Sequence, residues 1–286
     1  MANTRDLKRK IVSLQNMQKV MRAMHMIASA KFSKISYLQN SLKVFNDALY
    51  QTEKDILLAF KGQGYPELDG YEKIKNIEIV VFTADRGLCG SHNSSVQKAL
   101  LLLAENKSAE KTEIEITAIG KKGASISRRN NFKIYHESEI NEKILTDAQL
   151  YRISDNLLER FYSGNTEEIY FIYNEFISTL VQTTRVVRAL PFEEPSYVLT
   201  NVSNINSEPE GPAFVRNAAK AVFNYRLKTA LLNSYLSEHA SRMTAMDNAT
   251  TNADDLIHHY EKIKNKARQS AITNEIIEIV AGKEAM

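Results

Sequence analysis

Apolar residues recur at every seventh position from Leu7, through Leu14, Met21, Ala28, Ile35, Leu42, Leu49 and Ile56. A second, partial row three residues further along adds Met17, Met24, Leu38 and Phe45. A repeat averaging 3.5 residues keeps one stripe of a helix facing a partner helix, so residues 1–60 are expected to form a coiled-coil helix. A looser seam near the other end passes through Val222, Tyr225, Leu232, Leu236, Met243, Met246, Ala253, Ile257 and Tyr260. Ala240, Ala249, Ala253 and Ala267 are small enough there to admit a close neighbour. A second coiled-coil helix is expected over 207–286, opened by a Ser207-x-x-Glu210 capping box or by Gly211 with Pro212 as first helical residue.

Breakers are segregated accordingly. No Gly or Pro occurs from Met1 to Lys61 or from Ala213 to Ala281, while all five prolines and nine of the ten glycines lie between Gly62 and Pro212. In that middle stretch the pattern shortens to β-branched runs at 76–83, 113–120, 167–177 and 184–192, alternating with helical patterns such as 147–162. Strand–helix alternation implies a small, largely parallel sheet, placed here as a Rossmann-like α/β domain over 74–200. The fold class is thus a long antiparallel coiled coil of both termini plus a small α/β domain. At 1.5 Å per residue the first helix would run roughly 90 Å and the last roughly 115 Å. Antiparallel pairing would therefore leave a lone tip at 274–286, with Ile276, Ile277, Ile279 and Val280 unpaired and expected to be buried in another protein.

Composition changes this picture little. The chain is 43% hydrophobic and 25% charged, has no apolar run long enough to span a bilayer, and opens without an apolar signal core, which points to the cytoplasm without direct bilayer insertion. One cysteine rules out an internal disulfide. Charge distribution is more telling than the net +3: residues 1–45 carry nine Lys or Arg and one acidic residue, Asp6. That stripe (Arg5, Lys8, Arg9, Lys10, Lys19, Arg22, Lys31, Lys34) suits an acidic protein surface at least as well as nucleic acid, because stacking aromatics are absent before Phe32.

The segment most like an active site is TADRGLCGSHNS, residues 83–94, at the carboxyl end of the first strand, where α/β folds bind ligands. It matches neither phosphate-loop pattern, and Cys89 with His92 lacks an orienting third group, so a buried structural cysteine is the plainer reading. Asp254/His258 and Asp255/His259 stand at i,i+4 and could hold a metal or simply form ion pairs on a solvated face. The methionines at 17, 21, 24 and 26 read as core packing, or as a soft contact for a moving partner.

Four stretches then combine: LKRKIVSLQNMQKVMRAMHMIASAKF, TADRGLCG, SEHASRMTAMDNATTNADDLI and NKARQSAITNEIIEIVAG. In this order they resemble the gamma subunit of the rotary F-type ATP synthases, bacterial type, over essentially the whole chain. The resemblance implies a non-catalytic central rotor shaft without cofactors, inside a ring of three alpha and three beta subunits, with the epsilon subunit and the membrane c-ring at its foot. It implies that Arg268 and Gln269 hydrogen-bond a loop of beta, that Thr273 and Glu275 are further polar positions of the same helix facing the ring, and that Met24, Lys19 and Arg22 face an acidic beta loop. It further implies that Ile276, Ile277 and Val280 fill the apolar bearing of the ring. Glu208 would lie on the c-ring and epsilon side, and Arg242 at a position tied to coupling. Location at the cytoplasmic face of the plasma membrane follows. An enzyme built on the α/β domain, or a coiled-coil adaptor for nucleic acid, would contradict it.

Overall fold

The computed structural model describes residues 4–108, 111–139, 147–193 and 211–284, apart from the side chains at 4, 40–47, 50, 52, 58, 108 and 284. Leu42 and Phe45 of the expected seam, the Ser207–Glu210 box and Glu208 lie outside what is described. The chain divides into two compact units, residues 31–241 and residues 1–30 with 242–286. Helices α1 (Thr4–Phe60) and α6 (Pro212–Glu284) contribute to both. Pro212 is the first residue of α6, with Gly211 before it at φ +101°.

In the first-and-last unit, α1 and α6 run antiparallel. Lys10 stacks its ammonium over the Tyr260 ring at 4.5 Å, while Gln18 donates to Asp254 further along α1 but earlier on α6. Leu7, Ile11 and Ala28 of α1 and Met246, Ala253 and Ile257 of α6 are buried. The heptad row from Leu7 therefore packs, but of the expected second row only Met24 is half-buried among the described side chains. Met17 is 49% exposed, and in the other unit so is Leu38, at 41%. The packed companions stand four residues on: Ile11, Gln18 and His25 here, and Phe32 and Gln39 in the larger unit. In a seven-residue repeat the two flanking rows are symmetric about the seam, each three residues from one seam position and four from the next, so the side on which α6 lies decides which of them packs. Three of those five residues are polar, which hid the row from an apolar count.

The larger unit holds a five-stranded sheet in the order β3-β2-β1-β4-β5. Its strands are β1 (Asn76–Phe82), β2 (Glu113–Ile119), β3 (Lys133–Ser138), β4 (Glu168–Phe176) and β5 (Gln182–Leu190). β1, β2, β3 and β4 are mutually parallel and β5 runs antiparallel to β4. Helices α2 (Pro66–Asp69), α3 (His92–Ser108), α4 (Lys121–Arg129) and α5 (Asp147–Tyr162) complete the unit. α5 has the expected bounds. α2, α4 and β3 were not foreseen: the first two are short, and α4 carries a glycine in its interior.

Central strand β1 is buried on both faces, as parallel sheets covered by helices require. Ile77, Ile79 and Val81 pack on Val96 and Leu100 of α3 and Ala124 and Ile126 of α4. On the other face Val80 and Phe82 join α5, the 31–60 part of α1 and the 212–241 part of α6 through Leu157, Phe161, Ile35, Ile56, Phe223 and Leu231. Phe171 meets Phe82 and Phe223 with ring centres 5.8 and 5.5 Å apart. Fully burying such a ring contributes about 1.5–3 kcal/mol.

On this second face Glu78 is completely buried, bonded to Thr117 and to Arg160 of α5. Arg160 also pairs with Glu115 and lies over the Tyr135 ring, and Lys133 reaches Glu115 from solvent. Burial pushes the Glu78 carboxyl above the ordinary range against the pull of Thr117 and Arg160. Burial acts the same way on Glu115, but Lys133 and Arg160 outweigh it and hold that carboxyl low.

Candidate functional site

The loop after β1 is turned inward. Thr83 is fully buried; its hydroxyl donates towards Ile119 and Gly120 carbonyls and accepts the Gly123 amide at 2.6 Å. A phosphate cradle needs helix N-terminal amides pointing into open space. Here the first amides of α4 are taken: Lys121 donates to the Asp85 carboxylate at 2.9 Å, Lys122 to the Ala84 carbonyl and Gly123 to Thr83. The chain reverses through Leu88 and Gly90, both at positive φ, which seats Cys89 inside at 2% exposure.

Cys89 and His92 serve different partners. The Cys89 sulfur accepts from the Asn93 side-chain Nδ2 at 3.2 Å, and the Asn93 Oδ1 accepts the Ala84 backbone amide. The His92 ring meets the Asn174 side-chain amide at 3.0 Å, and that amide also donates to the His92 carbonyl. Ser95 and Thr184 donate to the other end of Asn174. The stretch thus ties β1, α3, α4 and β4 together, and reaches β5 through Asn174.

The candidates on α1 and α6 form no single pocket. Arg268, Gln269, Thr273, Glu275, Ile276, Ile277 and Val280 all lie on exposed helix. Thr273 bonds back to the Gln269 carbonyl in the manner usual for a helical threonine. Among the described residues none of α1 stands opposite 270–280, since Lys10 already meets Tyr260; Ile272, Ile276, Ile277, Ile279 and Val280 are exposed apolar side chains. Lys19 and Arg22 are exposed, Met24 is half-buried beside exposed Met26, and Arg242 is buried. Asp254 is engaged by Gln18 and by Arg22 at 3.8 Å, and among the described residues no three His, Cys, Asp or Glu side chains converge on a metal position. What the sequence reading missed is a polar stripe on α6 (Asn233, Ser234, Ser237, Ser241); its i, i+1, i+4, i+8 spacing inside an apolar helix was the available signal.

Comparison with known proteins identifies the family of this chain. A family model described as ATP synthase matches residues 3–286. The chain is 34% identical to an ATP synthase gamma chain of Sulfurihydrogenibium sp. (strain YO3AOP1), covering 99% of this chain and 98% of that one. It is 32% identical to one from Fusobacterium nucleatum, over all of both chains. Its fold is similar to a chain in the OSCP/F1/c-ring structure of the Euglena gracilis mitochondrial ATP synthase, with TM-score 0.72, 18% identity, and 99% of this chain and 94% of that chain covered. A family model over residues 3–286 and full-length kinship to curated gamma chains show that this chain belongs to the ATP synthase gamma chain family.

Proposed function

We infer that the chain is the central shaft of a rotary ATP synthase, carrying ion-driven rotation of a membrane c-ring to three catalytic beta subunits. The observation that carries this is the end of α6. Five large apolar residues, Ile272, Ile276, Ile277, Ile279 and Val280, stand on helix with no described α1 residue opposite. Burying each would contribute about 1–2 kcal/mol, so a sleeve of protein around this tip is strongly favoured. In this reading the tip turns inside the ring of alpha and beta subunits. Arg268 and Gln269 hydrogen-bond a loop of beta, Thr273 and Glu275 are further polar positions of that helix facing the ring, and Arg22 and Lys19 with Met24 face an acidic loop. Glu208 lies on the epsilon and c-ring side, and Arg242 serves coupling. The chain itself performs no chemistry and works at the cytoplasmic face of the plasma membrane. No described helix is long and apolar enough to cross a membrane.

The test is to tag the chain in its native host, solubilise membranes gently, and assay the purified material for subunit composition and ATP hydrolysis. Alpha and beta in threefold excess, with activity that the isolated chain lacks, are expected. A chain recovered alone or as a dimer refutes the shaft.

A further inference from the structure

Residues 231–240 of α6 are buried all round, yet the run is not uniformly apolar. Leu231, Leu232, Tyr235 and Leu236 enter the core shared with the sheet, while Asn233, Ser234 and Ser237 are buried polar residues along one stripe. Their partners cluster at the carboxyl ends of β1 and β4. The Ser237 hydroxyl donates to the Asn174 carbonyl at 2.9 Å, and the Ser234 hydroxyl to the Phe82 carbonyl at 3.4 Å. Asn233 accepts the Phe176 amide at 3.4 Å and the Gln39 side chain of α1 at 3.0 Å. One turn further on, Ser241 donates to Gln182 at the start of β5. Asn174 is the node, because its side chain also holds His92 and Ser95 of α3 and Thr184 of β5.

Apolar packing is non-directional and resists sliding or swivelling only through shape. Buried hydrogen bonds are directional, and a group stranded without its partner disfavours the slipped state by about a factor of 5–30. A one-residue shift of α6 turns the stripe by about 100°, and a one-turn shift moves it about 5.4 Å; either strands several of these groups at once. We propose that the Asn233–Ser234–Ser237 stripe and Asn174 form a register lock that holds the α/β domain on α6 against rotational load. Ser237 and Asn174 are then positioning residues for energy coupling. The proposal rests on the shaft reading above.

The experiment compares Ser237→Ala with Leu236→Val in the assembled complex, in inverted membrane vesicles. Leu236 is buried on the same helix, so its truncation loosens packing without removing a directional bond. Unloaded ATP hydrolysis is read in detergent, and ATP-driven ion uptake per ATP hydrolysed in sealed vesicles. For Ser237→Ala, hydrolysis near wild type is expected, with uptake per ATP at least about twofold lower as the ion gradient builds. Leu236→Val should keep normal coupling, and Ser237→Thr, which restores the hydroxyl, should regain it. Normal uptake in Ser237→Ala, or an equal loss in Leu236→Val, overturns the lock. Should Ser237→Ala fail to assemble, Ser234→Ala removes a longer bond and must show the same loss in smaller degree, or the lock falls. A chain that never co-purifies with a ring ATPase defeats the shaft reading instead.

Discussion

Gly120 offers the sharpest test of how the 83–94 loop is held. It joins β2 to α4 at φ +105°, where an L side chain is strained, and a Cβ there would overlap the Thr83 carbonyl oxygen and lie 2.7 Å from its carbon. Relief requires the ends of β1 and β2 to part, which weakens the bonds from Thr83 N to Ile119, from Lys122 N to Ala84, and from Gly123 N to the Thr83 hydroxyl. Backbone strain costs about 1–3 kcal/mol and each lost bond about 1 kcal/mol. Gly120→Ala is therefore expected to destabilise the α/β unit by about 3–5 kcal/mol. Gly87, in the same loop, has no positive φ and nothing within 4 Å of a built Cβ. Gly87→Ala should be neutral, or stabilising by about 0.4–1 kcal/mol through the unfolded chain. Urea unfolding followed by tyrosine fluorescence, with hydrogen exchange on the β1 and β2 amides to localise the effect, measures both. A Gly120→Ala cost below about 1 kcal/mol, or an equal cost at Gly87, would refute the close-packing argument.

Arg160→Leu strands the fully buried Glu78 carboxylate and should cost about 3–5 kcal/mol in chemical denaturation, more than half of it recovered by adding Glu78→Leu. Because the folded Glu78 pKa is raised, its contribution is fully present below the unfolded value near about 4.3 and is lost as pH rises through the folded one. The stability of the wild type relative to Glu78→Gln should thus fall on going from pH 4 toward neutrality and then level off; a difference that grows with pH would contradict the assignment. Cys89→Ala should cost about 1 kcal/mol of stability and leave ATP synthesis by the complex unchanged, whereas loss of activity at full assembly would revive a reactive thiol. Leu14→Gly with Met21→Gly places two glycines in the seam at about 1 kcal/mol of helix cost each, and ATP made per translocated ion should drop.

The two long helices were legible because their cause is local. A heptad of apolar residues and stretches free of Gly and Pro act between neighbours a turn apart, and α5 and the unpaired α6 tip follow from the same rule. The tip residues were likewise named from chain lengths alone, since antiparallel helices of unequal length must leave one end bare. Tertiary structure decided what depends on a distant partner. Only the arrival of α6 selects Ile11, Gln18 and His25 over Met17 as the packed flank of α1, because both flanks are equally near in sequence. Edge strand β3 alternates half-buried and exposed residues and gains its identity from β2 alongside. TADRGLCGSHNS looked like a site because its glycines, cysteine and histidine are the residues that sites use. Its carbonyls and side chains prove to be engaged by α4, α3 and β4, an outcome set by contacts up to 82 residues apart. The α6 stripe shows the same division: its spacing was written in the sequence, but serines on a helix acquire a role only when a strand carbonyl, brought there by the fold, lies within reach.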